Sequence, residues 1–166
     1  MSPGPLGPVQ PLSAAHHLDE LDCGVLALDR WLRQSARVAA ASGTAATYVL
    51  CRDEQVVGYY ALAMSAVAHE QAPSRLRRGM PDPVPVLLLA RLALDRSEHR
   101  RSLGGHLLVD ALTRCVRGGN EFGARAVVVD AISPEAADFY RHFGFHDLDE
   151  QRLWRRMNDI AHALEP

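Results

Sequence analysis

Residues 139–145, FYRHFGF, hold five aromatic or imidazole side chains, one of which is the tyrosine Tyr140. A phenol has an ordinary pKa of about 10, so it is protonated at neutral pH and can donate a proton to a departing anion. The same ring can also pack as an ordinary core residue beside Phe139, Phe143 and Phe145. The spacing leaves both roles of Tyr140 open.

A second candidate site lies in RLALDRSEHRRSLGGHLL, residues 91–108, where a predicted buried strand meets a predicted helix through a basic turn. A helix N-terminus presents unpaired backbone N–H groups and a partial positive charge. With Arg100, Arg101 and the Ser102 hydroxyl, a turn that contains Gly104 and Gly105 can bind a pyrophosphate. Neither a Walker motif nor a GxGxxG motif is present. A glycine turn with solvated arginines is the alternative interpretation.

The cationic side chains are unusual, because all 18 are arginines and the chain contains no lysine. Guanidinium groups suit phosphate oxygens better than ammonium groups do, but a GC-rich genome also explains the bias. The net charge of −2 gives no global indication of nucleic-acid binding. Two clusters are candidate phosphate-binding surfaces: Arg75, Arg77 and Arg78 in a predicted loop, and Arg30, Arg33 and Arg37 on the first predicted helix. The second cluster is equally consistent with the solvated face of an amphipathic helix.

The elements that must position these residues follow from hydrophobic periodicity and from turn residues. We expect a flexible, proline-rich lead-in over residues 1–11 and one folded domain over residues 12–166. The first half of the domain is predicted to contain a helix from a cap at Asp22 to Gly43, a hairpin turning at 53–55, a loop over 72–85 and a buried strand over 84–95. The second half is predicted to contain a helix over about 104–117, a strand over 124–132, a helix from Ser133 to Gly144 and a strand over 152–157.

The helix over 104–117 has an apolar stripe that we expect to be buried, formed by Leu107, Leu108, Ala111, Leu112 and Cys115. The strand over 84–95 is apolar throughout, which is typical of a central strand covered on both faces. The order of elements predicts one α/β domain with a central mixed sheet.

The composition excludes several classes of protein. The 166 residues are 48% apolar and 23% charged, which is typical of a folded globular chain. No apolar run reaches the roughly 18 residues of a membrane helix, and the first residues lack the features of a signal peptide. Cys23, Cys51 and Cys115 are too few and too widely spaced for a disulfide framework or a zinc site. We therefore expect a cytoplasmic protein without metal or membrane contact.

Several motifs together carry a family resemblance. The stretch RLALDRSEHRRSLGGHLLVDAL, followed by FYRHFGF, resembles the GNAT acyltransferase superfamily. The stretches LDCGVLALDRWL, VVGYYALA and MPDPVPVLLLARLALD resemble the acetyltransferase toxins of bacterial type II toxin–antitoxin modules, from about Asp22 to Phe145. The sequence departs from the superfamily motif at His99, where Gln or Arg is preferred, and at Ser102, where the first glycine is preferred; Gly104 keeps the second glycine.

The resemblance implies a single GNAT-type α/β domain with a central mixed, mostly antiparallel twisted sheet flanked by helices. It also implies an N-acetyltransferase that uses acetyl-CoA as co-substrate. It places the general acid at Tyr140, which would protonate the departing thiolate, and it assigns polarisation of the thioester carbonyl to backbone N–H groups of Leu92 to Leu94. The residues implied in acetyl-CoA binding are Leu92, Ala93, Leu94, Arg100, Arg101, Ser102, Leu103, Gly104, Gly105 and Phe139. No general base is identified.

The acceptor implied by the resemblance is the α-amino group of an aminoacyl-tRNA, whose acetylation blocks translation. Arg75, Arg77, Arg78, Arg30 and Arg33 would contact the tRNA. The implied partners are a second copy of the chain and a ribbon-helix-helix antitoxin with a disordered tail, which alone would contact DNA. The alternatives are a GNAT enzyme that acetylates a small amine or a protein N-terminus, and a degenerate acyl-CoA-binding module, which the changes at His99 and Ser102 suggest.

Overall fold

A computed structural model describes residues 4–166. Its strands are β1 (Gln10–Pro11), β2 (Ala46–Arg52), β3 (Gln55–Val67), β4 (Val84–Leu94), β5 (Ala126–Asp130), β6 (His146–Asp147) and β7 (Arg152–Arg156). Its α-helices are α1 (Leu26–Gln34), α2 (Ala36–Ser42), α3 (Ser74–Arg77), α4 (Leu103–Phe122), α5 (Pro134–His142) and α6 (Met157–Leu164). Short 3-10 helices cover His69–Gln71 and Arg96–Glu98.

Within the described residues the strands form a seven-stranded sheet in the order β1-β2-β3-β4-β5-β7-β6. The strand pairs β1–β2, β2–β3, β5–β7 and β6–β7 are antiparallel. The pair β4–β5 is parallel, with Val86 opposite Ala126 and Leu89 opposite Val129. The prediction of a mixed, mostly antiparallel sheet flanked by helices is therefore confirmed.

The described chain divides into two compact units. The first contains residues 4–62 and Arg91–Asp110, and the second contains Ala63–Ala90 and Ala111–Pro166. The elements β3, β4 and α4 each begin in one unit and end in the other.

The core of the first unit packs α1 and α2 against the β2–β3 hairpin. Leu28, Leu32 and Tyr59 belong to this buried cluster, and the Tyr59 hydroxyl donates to the Leu28 carbonyl at 2.6 Å. Buried Asp29 accepts the Cys23 N–H at 3.1 Å. These bonds satisfy polar groups inside an apolar core, where an unpaired polar group would be costly.

The core of the second unit is rich in β-branched residues from three strands. Val84, Val86 and Val128 cluster with Trp154 of β7, and Leu76 of α3 packs against them. β-branched side chains favour extended backbone, which explains why apolar runs of this composition form strands.

Most predicted elements are present, and their differences have local causes. The first predicted helix is two helices separated at Ser35; Gly43 ends the second with φ 73°, as predicted. The prediction of Asp22 as cap is wrong, since Val25 is the N-cap and Asp22 instead accepts the Gly24 N–H. The predicted 72–85 loop contains α3, because its buried Leu76 has an apolar surface to pack on.

Three further elements were not predicted: β1, β6 and α6. The first two contain only two residues each, too short for an alternating pattern to be recognised. The α4 helix extends to Phe122, beyond the predicted end at 117, and the whole predicted stripe from Leu107 to Cys115 is buried.

The predicted lead-in, residues 1–11, differs from the expectation where it is described. Residues 1–3 lie outside the described part of the chain. Gln10 and Pro11 pair with β2, and the Gly7 N–H donates to the Cys51 carbonyl at 2.8 Å. The described lead-in thus covers the outer edge of β2, whose backbone groups would otherwise lack partners. Among the described residues, no helix has the length and hydrophobicity needed to cross a membrane.

Candidate active site

The turn that precedes α4 has an unusual backbone. Arg100 and Ser102 have φ values of 67° and 58°, in the left-handed region that L-residues with side chains rarely adopt. The His106 N–H donates to the Ser102 carbonyl at 3.3 Å, so the N–H groups of Leu103, Gly104 and Gly105 are those that a helix leaves without an intrahelical partner. Such a helix end attracts an anion.

The side chains of this turn fit a diphosphate. Arg100, Arg101 and Ser102 are exposed, whereas Leu103, Gly104 and Gly105 are half-buried. Two guanidinium groups, one hydroxyl and three free backbone N–H groups form a donor set that matches the oxygens of a diphosphate. The predicted binding residues from Arg100 to Gly105 are therefore together at one helix end.

A buried carboxylate lies beneath the turn. Glu98 is 3% exposed and accepts two hydrogen bonds from Arg52 of β2, at 2.6 Å from Nε and 3.1 Å from Nη2. The Arg101 Nη1 lies 3.8 Å from Glu98 Oε2. The hydrogen bond from Arg52 lowers the pKa of Glu98 below its ordinary value, against an opposing effect of burial. The sequence does not predict the pair formed by Arg52 and Glu98. Its one indication is that Glu98 is a lone acidic residue in a basic turn.

A second carboxylate fixes the start of the same segment. Asp95 accepts the Ser97 N–H and hydroxyl at 3.0 and 2.7 Å, and the Asp22 N–H at 2.9 Å. Burial alone would raise the pKa of Asp95, but these hydrogen bonds lower it below its ordinary value. Together with the Arg52–Glu98 pair, these bonds hold the 3-10 helix Arg96–Glu98 at both of its ends.

His99, one of the two departures from the superfamily motif, has a structural partner. Its Nε2 lies 2.8 Å from the carbonyl oxygen of Leu94, the last residue of β4. The ring therefore joins the turn to the end of the strand, so the substitution preserves local order.

The strand segment Leu92 to Leu94, predicted to polarise a carbonyl, ends β4. Leu92 is half-buried, while Ala93 and Leu94 are buried. A Cβ on Gly58 of β3 would lie 3.0 Å from Leu94 Cδ1 and 3.2 Å from the Ala93 oxygen. A glycine at position 58 is therefore needed for this close approach.

In the second unit, Tyr140 lies in α5 within an aromatic cluster. It is 4% exposed, and its ring makes edge contacts with Phe139 and Phe145 at centroid distances of 5.4 and 5.9 Å. Ser133 caps α5 by accepting the Ala136 N–H, as predicted. Gly144, with φ 88°, follows the helix and lets the Phe145 N–H reach the Tyr140 carbonyl at 3.2 Å. Phe145 is buried, whereas Phe139 is half-buried.

The phenol of Tyr140 stays protonated over the physiological range. Burial raises its pKa above the ordinary value, and the negative charge of Asp130 at the end of β5 raises it further. Asp130 also lines a surface pocket with Asp149, Glu150, Gln151 and Arg152. Sequence analysis did not identify Asp130, because no local motif accompanies it.

The cysteines are unsuited to covalent catalysis. Cys23, Cys51 and Cys115 are buried and free. Burial raises the pKa of Cys23 and Cys51 to about 11 and that of Cys115 to about 12, so the reactive thiolate form is rare at neutral pH. Within residues 4–166, no group of three His, Cys, Asp or Glu side chains could hold a metal ion.

The candidate tRNA-binding arginines have different environments. Arg30 and Arg33 are exposed on α1, and Arg75 and Arg78 are exposed in and after α3. Arg77, by contrast, donates from Nη1 to the carbonyls of His69 at 3.2 Å and Ala72 at 3.4 Å, so part of its donor capacity stabilises its own loop.

Arg37 of the helical cluster is also engaged. It donates to the carbonyls of Ser13 and His16 at 3.1 and 2.8 Å. Arg30 and Arg33 belong to the first unit, whereas Arg75, Arg77 and Arg78 belong to the second.

Comparisons with known proteins identify the family. No family model matches the chain. It is 49% identical over 155 residues to a tRNA-acetylating toxin of Mycobacterium tuberculosis, covering 92% of this chain and 93% of that protein. A probable TacT toxin of Sinorhizobium fredii is 22% identical over 142 residues, covering 79% of this chain and 78% of that protein.

Solved structures agree. AtaTR bound with acetyl-CoA matches with TM-score 0.85 and 28% identity, covering 96% of this chain and 98% of that one. AtaT complexed with acetyl-methionyl-tRNAfMet matches with TM-score 0.87 and 26% identity, covering 97% of this chain and 100% of that one. A tyrosine-to-phenylalanine mutant of AtaT, bound to the C-terminus of the antitoxin AtaR and acetyl-CoA, matches with TM-score 0.84 and 25% identity, covering 97% and 99%. The resemblance seen in the sequence is confirmed: the chain belongs to the family of GNAT-fold tRNA-acetylating toxins.

Proposed function

We propose that this protein transfers the acetyl group of acetyl-CoA to the α-amino group of an aminoacyl-tRNA and thereby blocks translation. The observation that carries the proposal is the 49% identity, over 92% of the chain, to a tRNA-acetylating toxin. The diphosphate-binding turn before α4 and the buried phenol of Tyr140 supply the chemistry that such a transfer requires. We assign the activity to residues 12–166, as the sequence predicts.

Acetyl-CoA, when bound, supplies a thioester whose carbonyl carbon accepts a nucleophile. The turn residues Arg100 to Gly105 bind the diphosphate and so fix the position of the donor. Half-buried Phe139, beside Tyr140, contributes apolar contact with the donor. Backbone N–H groups of Leu92 to Leu94 donate to the carbonyl oxygen, where negative charge develops.

The bond changes balance simply. The neutral α-amino nitrogen forms the new C–N bond, the C–S bond breaks, and the amine loses one proton to solvent. Tyr140 donates its hydroxyl hydrogen toward the departing sulfur. Because an ordinary thiol has a pKa of about 8.5 and the pKa of Tyr140 is raised, complete proton transfer is uphill. Tyr140 therefore acts chiefly by stabilising the thiolate through a hydrogen bond.

The acceptor is bound through phosphates. The exposed groups Arg30, Arg33, Arg75 and Arg78 provide sequence-independent contacts that weaken with salt. Arg77 contributes less, since its guanidinium also supports the 69–77 segment.

This division among the arginines can be tested directly. Arg75→Gln should lower the salt slope of tRNA binding by about one unit without affecting stability. Arg77→Gln should also lower the urea midpoint, because two carbonyls lose a donor. Equal effects of both changes on stability would contradict the assignment. Binding is measured by filter retention across a salt series.

The proposed partners follow from the relatives. AtaT was solved with its antitoxin AtaR, and the KacTA complex was solved with DNA. We infer that an antitoxin, of the ribbon-helix-helix type, neutralises this protein, and that DNA is contacted only through it. We further propose a homodimer and, because charged tRNA is in the cytoplasm, a cytoplasmic location.

The decisive experiment offers several acceptors to one preparation. Purified protein with labelled acetyl-CoA is given charged total tRNA, free amino acids, polyamines and peptides. We expect N-acetylated aminoacyl-adenosine after nuclease digestion of the tRNA. Acetylation of a free amine or a peptide N-terminus with unmodified tRNA would instead identify the small-amine or protein-acetylating alternative. Binding of coenzyme A without any product would identify a degenerate binding module.

A further inference from the structure

The pair formed by half-buried Arg52 and buried Glu98 lies immediately before the turn that precedes α4. Glu98 lies two residues before Arg100, and its carboxylate is held by two nitrogens of one guanidinium at 2.6 and 3.1 Å. The third nitrogen of Arg52 donates to the Gly4 carbonyl at 2.9 Å. A bidentate pair fixes orientation as well as distance. The Glu98 carboxylate is therefore held by a residue of β2 in addition to the backbone contacts within its own loop.

The turn that follows Glu98 needs such support. Arg100 and Ser102 both have positive φ, a conformation that persists only where the surroundings determine it. The side chains of Arg100, Arg101 and Ser102 are exposed, so they provide no core packing that could hold it. The anchoring contacts lie immediately upstream, at buried Glu98 and half-buried Asp95.

Glu98 also orients a cation at the binding surface. The Arg101 side chain is 60% exposed, and its Nη1 lies 3.8 Å from Glu98 Oε2. This leaves the remaining guanidinium N–H groups of Arg101 available to a ligand.

We propose that Glu98, held by Arg52, is a positioning residue that sets the α4 turn and Arg101 in the geometry that binds the diphosphate of acetyl-CoA. The proposal rests on the proposed function for the identity of the ligand. Glu98 itself does not contact the donor.

Glu98 could act through its negative charge or by positioning the turn, and the two roles predict opposite effects of a substitution on anion binding. Glu98 is negative, so if it acted only through its charge, Glu98→Gln would strengthen binding of an anion. If it positions the turn, Glu98→Gln weakens binding, although the site becomes more positive. Glu98→Asp keeps the negative charge but shortens the side chain. If Glu98 positions the turn, anion binding by this variant is again weaker; if Glu98 acts only through its charge, anion binding is unchanged.

The test measures binding of 3′-phosphoadenosine 5′-diphosphate, the nucleotide portion of coenzyme A, by titration calorimetry. We expect the Kd to rise about tenfold or more in Glu98→Gln, since a misplaced helix end loses charge-assisted hydrogen bonds. Asp22→Asn is the matched control, because it alters the exposed ion pair with Arg96, at 3.2 Å, in the same segment. The Kd of the Asp22→Asn protein for the same nucleotide should change less than about twofold.

A kinetic split separates positioning from general damage. With acetyl-CoA, the KM of Glu98→Gln should rise while kcat changes little. With acetyl-pantetheine, which lacks the diphosphate, wild type and variant should have equal kcat/KM. Equal losses with both donors would overturn the proposal, as would unchanged or tighter nucleotide binding in a folded Glu98→Gln protein. If Glu98→Gln does not fold, the nucleotide titration of Glu98→Asp decides by the same criterion.

Failure of the proposed function gives a different pattern. Wild-type protein that binds the nucleotide but leaves charged tRNA unmodified would refute tRNA acetylation, while the comparison among Glu98 variants would still stand. Wild-type protein with no nucleotide affinity would overturn both.

Discussion

The turn before α4 and the aromatic cluster of α5 are built in opposite ways. The turn is exposed and polar, has two residues at positive φ, and is held from beneath by Arg52, Glu98 and Asp95. The cluster around Tyr140 is held by edge contacts between rings and by burial of Phe145. A diphosphate needs exposed donors, whereas a proton donor that must stay neutral benefits from a dry environment. Each chemistry therefore determines how its site can be stabilised.

The largest effect on activity is expected from removing the hydroxyl of Tyr140 in the aromatic cluster. Tyr140→Phe keeps the ring packing and removes only the donor that stabilises the thiolate, so kcat should fall about 10²–10³-fold with little change in the urea midpoint. Tyr59→Phe is the matched control, since this buried tyrosine uses its hydroxyl on the Leu28 carbonyl. It should lose stability and keep its activity. A Tyr140→Phe enzyme with normal kcat would remove the tyrosine from the mechanism.

The second prediction tests whether the cluster is held by apolar burial. Phe145 is 3% exposed, so Phe145→Ala should lower the free energy of unfolding by about 3–5 kcal/mol. Urea denaturation gives the value. At low temperature, the fraction that remains folded should bind the coenzyme A nucleotide normally, because the turn has its own anchors. Loss of nucleotide binding in that folded fraction would mean that the two regions are not independently stabilised.

A smaller effect is expected from relieving strain in the polar site. Ser102 has φ 58°, so Ser102→Gly should raise stability by at most about 1 kcal/mol, the relief being partly offset by unfolded-state entropy. It also restores the residue that the superfamily motif prefers, and the Kd for coenzyme A should fall a few-fold. A rise in Kd would show that the serine hydroxyl contributes more than its backbone conformation costs. Calorimetry and urea denaturation measure the two quantities.

The smallest effect concerns pH. The pKa of Glu98 in the folded protein is lower than its ordinary value of 4.5. As the pH falls from that ordinary value toward the folded pKa, the unfolded chain therefore binds more protons than the folded protein does. Its stabilising contribution is thus fully present above that ordinary value and is lost as the medium becomes more acidic. The urea midpoint of Glu98→Gln should decline less steeply below pH 4.5 than that of wild type. Parallel declines would mean that the pair carries no pH-dependent stability.

The contrast also explains what the sequence predicts well. The capped start of α5 at Ser133 and the buried stripe from Leu107 to Cys115 depend on local spacing and apolar periodicity, and each is placed as expected. Tyr140 lies on the predicted helix, while its catalytic role stays a prediction. The strands β4 and β5 are recognisable for the same reason, since uninterrupted apolar runs indicate a covered sheet.

The polar supports could not be predicted, because their partners are distant along the chain. Arg52 and Glu98 are separated by 46 positions, and Arg52 and Gly4 by 48. No periodicity relates such pairs, and each residue alone is an ordinary surface type. The same reasoning applies to Asp95, which accepts the backbone N–H of Asp22 across 73 positions.

The bond from Arg52 to the Gly4 carbonyl has a practical consequence for handling the protein. One guanidinium is shared between the Gly4 carbonyl and the Glu98 carboxylate under the turn before α4. Removing the segment that contains Gly4, by truncation or by a proteolytic cut, is therefore expected to change coenzyme A affinity, although Gly4 is not among the proposed ligand-binding residues.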